Sequence, residues 1–116
     1  MIERLAFDVK KGVTHPEFQR YLRLLDKHEN IWSKVSGPER LTIAGAPYDD
    51  VVPFARALVE GFPDRVLWGT DWPHPNLKSE MPDDGKLVDF IPRIAPTVEL
   101  QRALLVDNPA RLYWNR

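Results

Sequence analysis

Asp71 stands at the place in this sequence where a reactive carboxylate is best positioned. Residues 65–70 form a short apolar run between turn signals, which predicts a parallel strand buried on both faces. A carboxylate just past such a strand points into the crevice at the carboxyl ends of the strands, where α/β proteins bind ligands. Prolines at 73 and 75 stiffen the following loop. Asp71 is therefore a candidate general base, although capping of a turn explains it equally well.

Arg40 is the second candidate, because it follows another predicted strand, residues 31–36, and so faces the same edge of the sheet. Its planar guanidinium can hold a carboxylate through two parallel hydrogen bonds. A small substrate bearing a carboxylate would then lie between Arg40 and Asp71. The alternative is a solvated arginine paired with Glu39 or Asp49.

Two further side chains bear on this crevice. His74 is the histidine nearest to it, and the three histidines of the sequence share no metal-ligand spacing, so the sequence by itself encodes no complete metal site. Lys34 alternates with Val35 along the predicted strand, and either the crevice or a helix could receive its side chain.

Helices and strands alternate around these candidates. Thr14 and Glu17 predict a capping box with Pro16 in the first turn, and Asp49 or Asp50 predicts the cap of a second helix. Residues 2–9 show no clear hydrophobic periodicity, so no helix or strand is predicted for them. The predicted order is a helix over 15–29, a strand over 31–36, a helix over 51–61, a strand over 65–70, a loop over 72–85, and helices over 87–94 and 98–107, the last capped by Thr97.

Composition excludes several classes of protein. The 116 residues are 43% hydrophobic and 28% charged, as expected for one globular domain. A net charge of -1 argues against nucleic acid or an anionic membrane surface as partner, and the absence of cysteine excludes a disulfide scaffold and a catalytic thiol. With neither a secretory signal nor a long apolar run, we expect a cytoplasmic protein.

The alternation of strands and helices predicts an α/β fold with a parallel sheet. Two strands cannot form such a sheet alone, and a (β/α)₈ barrel needs roughly 250 residues. The sequence therefore predicts a piece of a larger α/β architecture, or a protomer that takes strands from a partner.

Residues 66–75, which read VLWGTDWPHP, resemble the amidohydrolase superfamily, and within it the 2-pyrone-4,6-dicarboxylate lactonase group. Residues 31–34, 38–41, 82–85, 91–96 and 108–114 resemble the same group in the same order. This resemblance implies that residues 1–116 are the C-terminal portion of a (β/α)₈ TIM barrel, with about two strand-helix units and the terminal helices.

The resemblance also implies roles for residues. Asp71 matches the aspartate that activates the hydrolytic water, and Arg40 matches an arginine that binds a substrate carboxylate. His74 is assigned to substrate binding from its position beside the crevice and not from the resemblance. The family's His-x-His pair, a further histidine and additional arginines are not found here, so this chain alone is expected to lack a complete active site. Ser36 and Gly37 also depart from the group's pattern, which leaves the substrate open.

The expected activity is hydrolysis of the ring ester of a small carboxylate-bearing lactone in aromatic-compound catabolism, without a cofactor. One alternative is a metal-dependent amidohydrolase or decarboxylase in which Asp71 ligates zinc or manganese. The other is a truncated remnant without catalysis, which self-associates through open sheet edges.

Overall fold

The computed structural model of the chain describes residues 2–4, 10, 12–38, 47–71 and 82–114. Its strands are β1 (Ile2–Arg4), β2 (Trp32–Ser36) and β3 (Val66–Gly69), and its helices are α1 (Pro16–Lys27), α2 (Val52–Gly61), α3 (Asp84–Asp89), α4 (Ile91–Ile94) and α5 (Val98–Arg102). Two π-helical segments, Ala103–Asp107 and Ala110–Trp114, follow α5. No helix in these ranges is long and apolar enough to cross a membrane.

The three strands form one parallel sheet in the order β1-β2-β3. Helices α1 and α2 connect consecutive strands, as parallel pairing requires. The sheet is one strand wider than predicted, because Ile2–Arg4 pairs with Trp32–Lys34. Three residues are too few to show a readable period, so only this long-range pairing identifies β1 as a strand.

Helices α1 and α2 pack on one face of the sheet through the residues that the helical spacing predicted. Phe18 and Leu25 of α1 are buried, as are Phe54 and Leu58 of α2. The rings of Phe18 and Phe54 meet edge to face with their centroids 4.9 Å apart. The core of the described residues lies between these two helices and the sheet and continues into the C-terminal helices, which add Leu87, Ile94 and Leu104.

The predicted caps of the first two helices, Thr14 and Asp49 or Asp50, are wrong. His15, and not Thr14, caps α1: its Nδ1 accepts a hydrogen bond from the amide of Glu17 at 3.2 Å. Because Pro16 occupies the first helical position, the residue before it is extended and takes the cap position. Helix α2 follows Val51 without a side-chain cap, since the carbonyl of Tyr48 accepts from the amides of Val51 and Val52 in place of a carboxylate.

The C-terminal helices follow the prediction more closely. Thr97 caps α5 as predicted, with its hydroxyl accepting from the amide of Leu100 at 3.1 Å. The predicted helix over 87–94 is divided into α3 and α4, and α3 begins at Asp84, inside the predicted loop. The carboxylate of Asp83 accepts from the amide of Gly85 at 2.8 Å and so starts that helix early.

Two polar side chains tie the helices to the amino ends of the strands. Arg65 donates to the carbonyls of Leu25 and His28 at the end of α1 and to that of Ile31 just before β2, at 2.8 to 3.0 Å. Asn108, only 1% exposed, donates to the carbonyls of Pro63 and Val66 on either side of the β3 start. These hydrogen bonds hold the first residues of β2 and β3 in place. They thereby determine where the carboxyl ends of the two strands lie relative to each other.

Candidate functional site

The two faces of the sheet differ in chemistry. Side chains alternate along a strand, and parallel partners in register share a face. The register of β2 with β3 therefore places Ser33, Val35, Val66 and Trp68 on the helix-packed face. The opposite face, here called the site face, carries Lys34, Ser36, Leu67 and Gly69. Leu67 is buried but is not part of the core under the helices, which agrees with this division.

Asp71 lies two residues past the end of β3, at the carboxyl edge that the sequence predicted for it. Its side chain is half-buried, and its φ of 66° is left-handed. A left-handed backbone is uncommon outside glycine, and aspartate and asparagine adopt it more readily than other residues, both at functional sites and in ordinary turns. The conformation is therefore compatible with the catalytic interpretation and with the capping of a turn.

Lys34 lies on the site face, which resolves the choice that the sequence left open. The register pairs it with Leu67, and its side chain runs along β3 toward the carboxyl end. A Cβ added at Gly69 would lie 3.1 Å from the Lys34 Cε and 3.4 Å from its Nζ. The ammonium group is thus held against Gly69, two residues before Asp71.

Ser36 is the second polar residue of the site face and pairs in register with Gly69. It is 5% exposed, and its buried Oγ has no hydrogen-bond partner among the described residues. The next residue, Gly37, has a φ of 67°, a left-handed turn that glycine adopts without strain. Ser36 is a functional candidate that the sequence did not select, whereas Lys34 was considered for the crevice without being assigned to it. Their spacing of two on a predicted strand was the signal that places both on one face.

Arg40 and His74 lie outside the described residues, so the carboxylate-binding role that the resemblance implies for Arg40 and the substrate-binding role assigned to His74 from its position stay predictions. A carboxylate such as Asp71 is a suitable zinc or manganese ligand, but one ligand does not make a site. The described part of the chain contains no group of three His, Cys, Asp or Glu side chains able to hold a metal ion. These residues by themselves therefore do not complete a metal centre.

The amino ends of the strands have a different character. An open cavity of about 500 Å³ lies there, lined by Asp26, Glu29, Trp32, Gly61, Phe62, Asp64, Arg65 and Arg111. The guanidinium of Arg65 is already engaged with three backbone carbonyls, and that of Arg111 lies 5.5 Å from the centre of the Trp32 ring. In parallel barrels this end maintains stability while the carboxyl end carries the chemistry.

A parallel sheet with crossover helices and an aspartate at its carboxyl edge places the chain in the α/β class. The sequence model of the amidohydrolases matches residues 6–114, so the chain belongs to the amidohydrolase family. It is 65% identical over 115 residues to a 2-pyrone-4,6-dicarboxylate hydrolase of Comamonas testosteroni, covering 92% of this chain and 38% of that protein. It is 51% identical over 104 residues to a 4-sulfomuconolactone hydrolase of Rhizobium radiobacter, covering 88% and 34%.

A solved structure of an Agrobacterium tumefaciens protein superposes on the chain with a TM-score of 0.75 at 32% identity, covering 87% of this chain and 36% of that one. This confirms the predicted fold class, a portion of a (β/α)₈ barrel. The chain spans little more than a third of the length of the relatives it matches.

Proposed function

We propose that this chain is part of a hydrolase that opens the ring ester of a small anionic lactone. Asp71 takes a proton from a water molecule, whose oxygen attacks the ring carbonyl carbon. The carbon–oxygen bond of the ring then breaks, and the leaving ring oxygen takes up the proton held by Asp71 and becomes a hydroxyl group. The new carboxylic acid releases its remaining proton to solvent at neutral pH, which leaves Asp71 ionised for the next turnover. Arg40 holds a carboxylate of the substrate, and His74 contacts the substrate beside it.

The observation that carries this proposal is the left-handed Asp71 at the carboxyl end of a buried parallel strand. The relatives support the substrate class, because both names describe hydrolases of anionic ring compounds, a pyrone dicarboxylate and a sulfonated muconolactone. Ester hydrolysis also needs donors that stabilise the oxyanion. Since the chain spans little more than a third of these relatives, we assign those donors to the rest of the barrel.

We further propose that the enzyme works in the cytoplasm on intermediates of aromatic-compound catabolism. The pyrone dicarboxylate in the name of the Comamonas relative supports the kind of intermediate, and the cytoplasmic location is carried over from the sequence prediction. Fractionation of cells that express the tagged chain, together with growth on aromatic carbon sources after gene disruption, tests both statements.

The decisive experiment completes the barrel. The full 116-residue chain replaces the matching segment of the Comamonas testosteroni hydrolase, and hydrolysis of 2-pyrone-4,6-dicarboxylate is followed by the loss of pyrone absorbance. Asp71→Asn keeps the shape and the tolerance of a left-handed backbone but removes the base. We expect kcat to fall about 10²- to 10⁴-fold, the usual contribution of a general base.

The matched control is Asp26→Asn, the same exchange at an exposed position of α1. It should leave kcat unchanged. Circular dichroism of both variants establishes that they fold equally. An Asp71→Asn graft that turns over at the unsubstituted rate would remove Asp71 from the mechanism, and metal analysis of the active graft distinguishes this chemistry from the metal-dependent alternative.

Arg40→Met in the same graft tests the carboxylate anchor. We expect KM to rise about 10- to 100-fold with a smaller change in kcat, because a charge-assisted hydrogen bond to substrate is lost. An unchanged KM would contradict the anchoring role.

A further inference from the structure

Two polar side chains on the site face have no hydrogen-bond or ion-pair partner among the described residues. The Oγ of Ser36 is buried without a hydrogen-bond partner among the described residues, although a buried hydroxyl left in this state costs stability. Lys34, two residues earlier on β2, forms no ion pair or hydrogen bond within the described ranges. Both lie on the face that turns away from the helices.

The position of the Lys34 side chain depends on the glycine at position 69 of the neighbouring strand. Its Cε and Nζ occupy the space that a side chain at position 69 would need, so a glycine there allows the ammonium group to lie against β3 at the residue that pairs with Ser36. This placement brings a donor-only cation and a hydroxyl donor to the same strand ends. Such a pair is suited to an anionic oxygen.

We propose that Lys34 and Ser36 bind a second carboxylate of the substrate, in addition to the one assigned to Arg40. The inference rests on the proposed function and narrows it to lactones with two anionic groups. The ammonium group supplies the charge, and the Ser36 hydroxyl donates the hydrogen bond that it lacks within the described residues. Gly69 is a positioning residue, since it makes room for Lys34 without touching the ligand.

The test measures binding rather than turnover, so that it does not depend on the catalytic role of Asp71. The graft carrying Asp71→Asn is titrated by calorimetry with isophthalate, a planar ring with two carboxylates, and with benzoate, which has one. Lys34→Met should weaken isophthalate binding about 10- to 100-fold, and Ser36→Ala about 2- to 10-fold, as expected for a charged and a neutral hydrogen bond. The preference for isophthalate over benzoate should disappear in Lys34→Met, while Lys34→Arg retains most of it.

Gly69→Ala moves the lysine without removing it. The added Cβ would lie 3.1 Å from a flexible methylene group, so the lysine shifts and the fold is retained. Isophthalate binding should weaken, whereas Gly61→Ala, which meets nothing within 4 Å, should leave it unchanged. The affinity should also fall with added salt in the unsubstituted graft, and fall less steeply in Lys34→Met.

Unchanged isophthalate affinity in Lys34→Met would overturn the proposal. If Lys34→Met does not fold, Gly69→Ala decides, and equal affinities in Gly69→Ala and Gly61→Ala would overturn it as well. Failure of the proposed hydrolase activity would appear separately, as an unsubstituted graft that does not hydrolyse 2-pyrone-4,6-dicarboxylate, and would leave these binding results interpretable.

Discussion

Removal of the Asn108 carboxamide should destabilise the chain more than any other single polar exchange at the amino ends of the strands. Asn108 is 1% exposed, and its Nδ2 donates to the carbonyls of Pro63 and Val66 at 2.8 and 2.9 Å. Its Oδ1 accepts from Arg111 at 3.0 Å. Each lost hydrogen bond contributes about 1 kcal/mol, so Asn108→Ala should lower the free energy of unfolding by about 2 to 4 kcal/mol. That is a large part of the free energy of unfolding of an ordinary domain, which is roughly 5 to 15 kcal/mol.

The assay is urea unfolding of the full chain followed by tryptophan fluorescence. One fixed protein concentration is used, so that self-association affects all variants alike. Asn108→Asp is the more specific test, because it keeps the size of the side chain and replaces the Nδ2 donor by a carboxylate oxygen. That oxygen can only accept, and it would face the two carbonyl oxygens of Pro63 and Val66. The neighbouring exposed exchange Asp107→Asn, which loses only a 3.5 Å surface ion pair with Arg102, should change stability by less than about 1 kcal/mol. Equal stabilities for Asn108→Ala and Asp107→Asn would refute the reasoning.

Two more predictions concern the same scaffold. Arg65→Met should lower the free energy of unfolding by about 1 to 3 kcal/mol, because three hydrogen bonds from one guanidinium to backbone carbonyls are lost. Urea unfolding measures this free energy, and a value equal within error to that of the unsubstituted chain would contradict the prediction. The full chain expressed alone should form concentration-dependent oligomers in light-scattering chromatography, because β1 and β3 are the outer strands of the sheet among the described residues; a monomer at every concentration would contradict this.

The sequence predicted those features that depend on neighbours along the chain. The apolar spacing of Phe18 and Leu25 located α1, and the apolar run around Val66 located β3 with Asp71 at its end. The burial of β3 on both faces holds for Val66 and Leu67, whereas the second half of the strand is partly exposed. What the sequence could not provide was pairing between distant segments.

The third strand shows this limit. Nothing local distinguishes Ile2–Arg4 from a loop, and its pairing with β2 appears only in three dimensions. The same holds for Lys34, for which the alternation along β2 permitted two directions. The register with β3 selects one of them, because it places Lys34 beside Leu67 and Val35 beside Trp68. The sequence of one strand shows which side chains share a face, but only its register with the neighbouring strand shows which face meets the helices.

The strands separate stability from chemistry along their length. At their amino ends Arg65 and Asn108 bind backbone carbonyls, so exchanges there should change unfolding and leave the substrate preference of a folded graft unaltered. At the carboxyl ends Asp71 has a left-handed backbone, and Ser36 has a buried hydroxyl without a partner among the described residues. The buried hydroxyl costs stability where it stands, and the Lys34 side chain lies against Gly69 at the same edge. Since an unpartnered hydroxyl gains a hydrogen bond when a polar ligand is bound, these features together support the proposal that substrate binds at this edge.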